Sequence, residues 1–276
     1  MHVIKLVVKI VAVLVLLYMI SISLVLKFFL PELVFKKIEE GSTNESSRYS
    51  VKSLGDEVLI REYLSVSGEL CAFYFPGQGG GIPRYEKEIF KHSLERNISI
   101  YAISLPGYEG AAGNSTYESV LKMGQLAVEY INDNTGCKIS ESVFVGRSLG
   151  SVVALEIAAT VHPRGLLLDS TGTSLSVVVR NKIQKNPFLK PASILPIEMF
   201  MQFNPKIEDA MGALFNTPIV IFQGEFDTLT PYRDIEEFSK NHMNIELIKV
   251  GNATHSTAHV DAGVLYFDKL EGLLGG

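Results

Sequence analysis

From residue 69 onward, short apolar runs of strand length alternate with segments of helical periodicity. This alternation is typical of βαβ units, and runs that are apolar on both faces indicate a sheet covered by helices on both sides. The sequence therefore predicts an α/β fold with a mostly parallel sheet and a ligand site at the carboxyl ends of its strands. Two antiparallel strands are predicted before residue 69. The predicted later strands are 69–75, 98–104, 142–145, 165–168, 218–223 and 245–250, and the predicted helices are 83–96, 116–132, 149–161, 232–242 and 259–274.

Length and charge exclude several classes of protein. The chain has 276 residues, 47% of them hydrophobic, which is too long and too apolar for a disordered tail, a small disulfide scaffold or a coiled coil. The first thirty residues carry three lysines and no acid, so the remainder holds 22 basic against 30 acidic residues, a net charge of −8. A body this acidic argues against a nucleic-acid partner. Its two cysteines are too few for a zinc site.

The first thirty residues form a separate segment. Residues 10–26 are seventeen consecutive uncharged residues, and extending the run to residue 30 gives a helix of about 30 Å, the thickness of a bilayer core. We expect an uncleaved signal anchor that holds the chain in a membrane through residues 10–30. A cleaved signal peptide and a buried core helix are the alternatives. Lysines flank both ends, and the short N-terminal tail favours a body outside the cytoplasm.

Composition divides the rest of the chain. We assign residues 1–37 to the anchor and its flank, the polar stretch 38–47 to a linker, and 48–276 to a folded domain. Residues 171–216 interrupt the β/α rhythm with four prolines and are too long for a plain loop. We expect a small helical lid over the strand ends, in which Met199, Met201 and Phe203 either pack internally or line a pocket.

The most informative motif is the pentapeptide Gly146–Gly150, GRSLG, which stands between a predicted strand and a predicted helix. This is the G-x-S-x-G pattern in a strand–turn–helix context. A turn this tight leaves no room for side chains at Gly146 and Gly150. It projects the Ser148 hydroxyl at a helix N-terminus, where the backbone N–H of Leu149 can face an oxyanion.

A serine needs a base and an orienting acid to become a nucleophile. Asp227 and His255 each follow a predicted strand by a few residues, so they are expected on the same rim of the sheet as Ser148. Two rivals share this rim: Asp169 could replace the acid, and His259 could replace the base.

Three further features remain open at this stage. Arg147 could bind an anionic substrate group or pair with an acid. The glycine-rich loop 77–81 could offer the N–H of Gln78 as a second oxyanion donor, and it lacks the spacing of a nucleotide-binding loop. Cys71 and Cys137 could pair if the body lies outside the cytoplasm.

In combination, the segments FPGQGGG, LPGYEG, GRSLGS, LLLDSTGTSL, GEFDTLTP and GNATH resemble the α/β-hydrolase family. They are most similar to its membrane-anchored BEM46-like branch, the ABHD13- and ABHD17-like serine hydrolases. The resemblance covers residues 48–274 and implies an eight-stranded, mostly parallel sheet with a short lid. One departure is that this chain has Pro76–Gly77 where many members have His-Gly.

The resemblance implies Ser148 as nucleophile, Asp227 as acid and His255 as base, with the backbones of Gln78 and Leu149 as the oxyanion hole. With this triad we expect hydrolysis through an acyl-enzyme, without a metal or organic cofactor. The expected anchor and apolar lid favour carboxylic esters or thioesters with acyl chains, including lipid-like ones, as substrates. A peptidase or amidase on the same scaffold is the alternative enzyme. A non-catalytic binding module is the alternative outside enzymes.

Overall fold

A computed structural model describes residues 2–35, 47–79, 81–201 and 203–275. Most of the predicted linker, residues 38–46, lies outside these ranges. Eight strands form one sheet in the order β1-β2-β4-β3-β5-β6-β7-β8. The strands are β1 Ser47–Ser53, β2 Asp56–Tyr63, β3 Leu70–Phe75, β4 Ile98–Ser104, β5 Val143–Arg147, β6 Gly165–Asp169, β7 Ile219–Gly224 and β8 Ile245–Val250.

The pairing confirms the predicted mostly parallel sheet. Strand β2 runs antiparallel to both of its neighbours, β1 and β4, and all other pairs are parallel. The six strands predicted after residue 69 match the observed ones within two residues at each end. Every residue of β4, β5, β6 and β7 is buried, which explains why these strands are apolar on both faces.

The helices cover both faces of the sheet and enclose two apolar layers, one on each side. They are α1 His2–Val34, α2 Ile82–Tyr85, α3 Lys91–Glu95, α4 Tyr117–Asn134, α5 Leu149–Val161, α6 Leu175–Gln184, α7 Ile207–Met211, α8 Tyr232–Ser239, α9 Ala258–Asp261 and α10 Val264–Leu274. Short 3₁₀ helices occupy Ile139–Glu141, Lys190–Ile194 and Ile197–Phe200.

Two predicted helices differ in detail from the observed ones. The predicted helix 83–96 contains a π-helical turn, Glu86–Phe90, between α2 and α3. The predicted final helix 259–274 is two helices, because Gly263 adopts a positive φ of 56° that ends α9 before α10 begins. Apolar periodicity reports neither a π turn nor a left-handed residue, so the sequence pattern did not show these breaks.

Helix α1 is one continuous element of 33 residues. Its segment Val3–Val25 has a mean hydropathy of 2.7 and is exposed over most of its length, so it is a candidate membrane span by length and composition. The C-terminal part of α1 and the residue after it meet the folded body, where Ile22, Val34 and Phe35 are buried. Helix α1 thus ends against the folded body that follows it.

Residues 171–216 cross the carboxyl ends of the strands. They contain α6, two of the 3₁₀ helices and α7. Their two ends are held together because the Ile207 N–H donates to the Thr173 carbonyl at 3.1 Å. Ile183, Ala192 and Ile197 anchor the segment to the apolar layer beneath it. We call residues 171–216 the lid.

A disulfide joins Cys71, in β3, to Cys137, in the turn after α4, with a Cα–Cα distance of 5.9 Å. The pairing left open by the sequence is therefore present in the structure. Both cysteines are buried, so the cross-link ties α4 to the centre of the sheet.

We expect this disulfide to stabilise the domain because it closes a loop of 66 residues in the unfolded chain. Loop-closure entropy predicts about 4 kcal/mol for that length. The double variant Cys71→Ala with Cys137→Ala should therefore melt roughly 10 °C below the oxidised wild type by scanning calorimetry. Dithiothreitol should lower the wild-type Tm and leave that of the double variant unchanged. A wild-type Tm that does not respond to reductant would contradict the pairing.

Candidate active site

Strand register places the predicted site residues on one rim. Arg147, the last residue of β5, pairs with Asp169 of β6, and Gly224 of β7 pairs with Val250 of β8. Ser148 follows β5 directly, while Asp227 and His255 lie on the loops after β7 and β8. Parallel strands that end level bring their following loops to the same edge of the sheet.

The Ser148 turn has the strained backbone that its sequence context predicts. Ser148 has φ 51° and ψ −114°, a conformation that non-glycine residues rarely adopt. A Cβ on Gly146 would stand 2.6 Å from the Ser151 Cα, and one on Gly150 would stand 2.6 Å from the Phe75 carbonyl carbon. Both positions therefore require glycine.

Ser148, His255 and Asp227 form a hydrogen-bonded chain. The Ser148 Oγ lies 2.8 Å from His255 Nε2, and His255 Nδ1 lies 2.8 Å from Asp227 Oδ2. With Nδ1 donating to the carboxylate, Nε2 is free of its proton and can accept one from the serine hydroxyl. The arrangement can activate an alcohol for attack on a carbonyl carbon.

The Asp227 carboxylate is buried and fully supported. Its Oδ1 accepts from the backbone N–H groups of Leu229 and Thr230, both at 2.8 Å. Burial acts to raise the pKa of Asp227, but the hydrogen bonds from His255 and Thr230 outweigh it and lower the pKa below its usual value. The group is therefore an anion at neutral pH and can stabilise a protonated imidazole.

Two hydrogen-bond partners of Asp227 were not predicted from the sequence. The Thr230 hydroxyl donates to Asp227 Oδ2 at 2.5 Å, and the Gln223 side-chain amide donates to the same oxygen at 3.1 Å. Thr230 stands in the segment GEFDTLTP, three residues after the acid, so this spacing could have suggested an Asx-type turn. For Gln223 the only sequence signal is that it is the one polar side chain in an otherwise apolar strand, which does not reveal its partner.

The rival residues belong to a different cluster. His259 is buried, with Nδ1 3.0 Å from Asp169 Oδ2 and Nε2 2.9 Å from Glu88 Oε2. The Arg147 guanidinium lies 3.3 Å from that same Asp169 oxygen. The structure thus brings Asp227 and His255, rather than Asp169 and His259, to Ser148.

Arg147 also contacts the loop that carries His255. One of its guanidinium nitrogens donates to the His255 carbonyl at 3.0 Å, and another donates to the Tyr85 hydroxyl at 3.2 Å. The side chain is buried beneath the rim. Of the two roles considered for Arg147, the structure shows the pairing with an acid, and it adds support for the imidazole loop.

The predicted oxyanion residues lie beside the serine. Gln78 and Leu149 both line the pocket that contains Ser148. Gly77 lets the loop approach the Ser148 turn closely, because a Cβ there would stand 3.1 Å from the Arg147 carbonyl oxygen. The Gln78 side-chain amide donates to the Val34 carbonyl at 2.5 Å, which turns that side chain toward the end of α1.

The pocket above Ser148 has a cavity volume of about 60 Å³ and opens to solvent. Its remaining walls come mainly from apolar side chains of the end of α1, of α5, of the lid and of the loop after β7. These are Val34, Val152, Leu175, Val178, Val179 and Leu229.

The residues that line the pocket do not include Met199, Met201 or Phe203. Of the two roles considered for these three, the structure shows internal packing for Phe203. Its ring stacks on Tyr117 with centroids 4.5 Å apart.

Within the described ranges, no three His, Cys, Asp or Glu side chains form a group that could hold a metal ion.

Comparisons with known proteins place this architecture. No family model matches the chain. A Mycoplasma pneumoniae protein named "Putative esterase/lipase 2" is 22% identical over 219 residues, covering 66% of this chain and 81% of that protein. An uncharacterized Mycobacterium tuberculosis protein is 24% identical over 200 residues, covering 67% of this chain and 66% of its own length.

Solved structures show the same fold at low identity. The Pyrococcus furiosus esterase Pf2001 superposes with a TM-score of 0.69 at 15% identity, covering 88% of this chain and 98% of that one. An alpha-beta hydrolase from Vibrio vulnificus gives a TM-score of 0.67 at 17% identity, covering 83% and 81%. Est1E from Butyrivibrio proteoclasticus, solved with ferulic acid, gives 0.60 at 13% identity, covering 83% and 100%. The chain therefore has the α/β-hydrolase fold.

Proposed function

We propose that the protein is a serine hydrolase that cleaves carboxylic ester or thioester acyl substrates. The observation that carries this proposal is the relay from Ser148 Oγ through the His255 imidazole to the buried Asp227 carboxylate, with both contacts at 2.8 Å. The esterase names among the structural neighbours agree with it. We also assign the chain to the BEM46-like branch, on its motif set and its candidate anchor.

In the proposed first half-reaction, His255 Nε2 takes the hydroxyl proton as Ser148 Oγ attacks the acyl carbon. The Asp227 carboxylate holds the imidazole in the required tautomer and stabilises its protonated form. The N–H groups of Gln78 and Leu149 stabilise the negative oxygen of the tetrahedral intermediate. His255 then protonates the leaving alcohol or thiol, and an acyl-enzyme remains on Ser148.

In the second half-reaction, His255 takes a proton from a water molecule that attacks the acyl carbon. The ester bond to Ser148 Oγ breaks, the serine regains its proton from His255, and the free acid leaves. The apolar pocket walls favour an acyl chain over a charged or peptide group. We therefore rank ester or thioester cleavage above amide cleavage. Because hydrogen bonds hold the Asp227 end of the relay in place, we also rank hydrolysis above a non-catalytic binding module.

A fluorophosphonate probe tests the proposal. Wild-type protein should react covalently, and mass spectrometry of the digested adduct should place the phosphonyl group on Ser148. Because the probe requires an activated serine, prior denaturation should abolish labelling. Folded protein that stays unlabelled would favour the binding module, and a peptide substrate cleaved faster than a p-nitrophenyl ester would favour the peptidase.

We further propose that α1 anchors the enzyme in a membrane, with the body on the non-cytoplasmic side. The apolar span Val3–Val25 supports anchoring, and the disulfide between Cys71 and Cys137 supports an oxidising compartment. A secreted or periplasmic body after signal cleavage is the alternative.

Full-length protein should therefore stay in the membrane pellet after a sodium carbonate wash at high pH, because the predominantly apolar 23-residue segment Val3–Val25 would hold it in the bilayer. Its intact mass should include α1. A soluble chain that begins near Leu24 would instead show that the segment is a cleaved signal. Detergent extraction provides the control, since it should release the protein in either case.

A further inference from the structure

We propose that the lid, through Phe188, Ile194, Met199 and the nearby Lys185 and Lys190, binds the anionic surface of the bilayer that holds α1. We call these five side chains the lid face. The pocket would then open toward lipid, and the substrates would be acyl esters or thioesters that reside in the membrane. This inference rests on the proposed hydrolase function and on the proposed anchoring.

The depth of the lid beside the anchor is the first observation. The Tyr18 hydroxyl donates to the Phe188 carbonyl at 2.6 Å. Tyr18 lies seven residues before Val25, the end of the candidate span, which is about 10 Å along a helix. A lid residue at the level of Tyr18 is therefore alongside the apolar part of α1.

The lid face is apolar and exposed at this position. The side chains of Phe188, Ile194 and Met199 are 84%, 78% and 79% exposed. Ile194 ends one 3₁₀ helix of the lid, and Met199 lies in the next one, Ile197–Phe200, which packs against α1. Three large apolar side chains on segments next to a membrane helix mark a lipid-binding surface.

Charge distinguishes the lid from the rest of the body. Between residues 175 and 206 there are five Lys or Arg and one acid, whereas residues 31–276 as a whole have 22 basic and 30 acidic residues. Two of the five are engaged within the protein, since Arg180 pairs with Glu198 and Lys182 donates to Gln78 Oε1. Lys185 and Lys190, on either side of Phe188, are exposed. Lysines at a membrane surface attract anionic headgroups.

The pocket walls connect this face to the reacting serine. Lid helix α6 contributes Leu175, Val178 and Val179, and the end of α1 contributes Val34. The chain thus leaves the candidate membrane helix at the wall of the pocket. An acyl chain could move from the bilayer to Ser148 between the anchor and the lid without crossing bulk water.

Tryptophan fluorescence tests the docking, because the chain contains no tryptophan. Phe188→Trp and Met199→Trp would each place a single reporter on the lid face of full-length protein in vesicles of phosphatidylcholine and phosphatidylglycerol. Val66→Trp is the matched control, since Val66 is fully exposed on the turn between β2 and β3. Brominated acyl chains should quench both lid reporters by at least half and leave the control unquenched. Lid reporters that are no more quenched than the control would overturn the proposal. The lid face would then be a surface for a protein partner instead.

Activity separates this proposal from the proposed function. In the double variant Lys185→Glu with Lys190→Glu, hydrolysis of a membrane-resident acyl ester in anionic vesicles should fall several-fold relative to hydrolysis of soluble p-nitrophenyl butyrate. An unchanged ratio would overturn the role of the lysines. Wild-type protein that cleaves neither ester would refute the hydrolase function, while the quenching result would still decide the docking.

Discussion

Ser148→Ala is expected to lower kcat for p-nitrophenyl ester hydrolysis by about four orders of magnitude or more, because it removes the atom that attacks the acyl carbon. The fold should tolerate the change. Ser148 already holds a positive φ of 51°, and alanine carries the same Cβ without adding bulk. The variant should therefore melt within a few degrees of wild type by scanning calorimetry and bind substrate with a similar Kd.

Ser170→Ala is the matched control, since Ser170 lines the same pocket, also has a positive φ and bonds to Asp169 instead of His255. It should keep most of the wild-type kcat. If Ser148→Ala retained wild-type turnover, Ser148 would not be the nucleophile, and the mechanism proposed above would fail.

His255→Ala should reduce kcat to a similar extent, because the imidazole is the only titratable side chain within hydrogen-bonding distance of Ser148 among the described residues. His259→Ala should behave differently. His259 bridges Asp169 and Glu88, away from Ser148, so its loss leaves the relay in place. It removes a partner from the buried Asp169 carboxylate, which should cost about 1–3 kcal/mol of stability.

The two histidine variants should thus show opposite defects: His255→Ala should lose activity, and His259→Ala should lose stability. Steady-state kinetics should show a dead His255→Ala enzyme and a His259→Ala enzyme within about tenfold of wild type, and calorimetry should show the larger loss of Tm for His259→Ala. Added imidazole should restore part of the His255→Ala activity by acting as an external base. A dead, normally stable His259→Ala variant would mean that the base has been misassigned.

The sequence predicted those features that depend on local chemistry. The tight turn at Ser148 could be predicted because the steric demands at Gly146 and Gly150 belong to a single short motif around Ser148. The positions of Asp227 and His255 followed from counting residues past strand ends, since parallel strands align their carboxyl ends. The mostly parallel sheet could be predicted because each buried strand is a short apolar run that can be recognised on its own.

Contacts between distant segments could not be predicted in this way. The Gln223 amide reaches Asp227 from inside an apolar strand, and the cluster of His259 with Glu88 joins residues 171 positions apart. Cys71 and Cys137 could be identified as partners only once β3 and the turn after α4 had fixed positions. The pocket lining depends on how the lid packs, which no periodicity encodes.

The Val34 carbonyl accepts a hydrogen bond from the Gln78 side chain, and Val34 also lines the Ser148 pocket. We therefore expect the end of α1 to influence which esters the pocket accepts. Removing the first 46 residues to obtain a water-soluble preparation would remove Val34 from the pocket wall, together with the carbonyl that orients the Gln78 side chain. Such a shortened protein should accept bulkier and more polar esters than the native form. Under the proposed function and anchoring, chain-length preferences measured on the shortened protein should be broader than those of the full-length protein in a membrane.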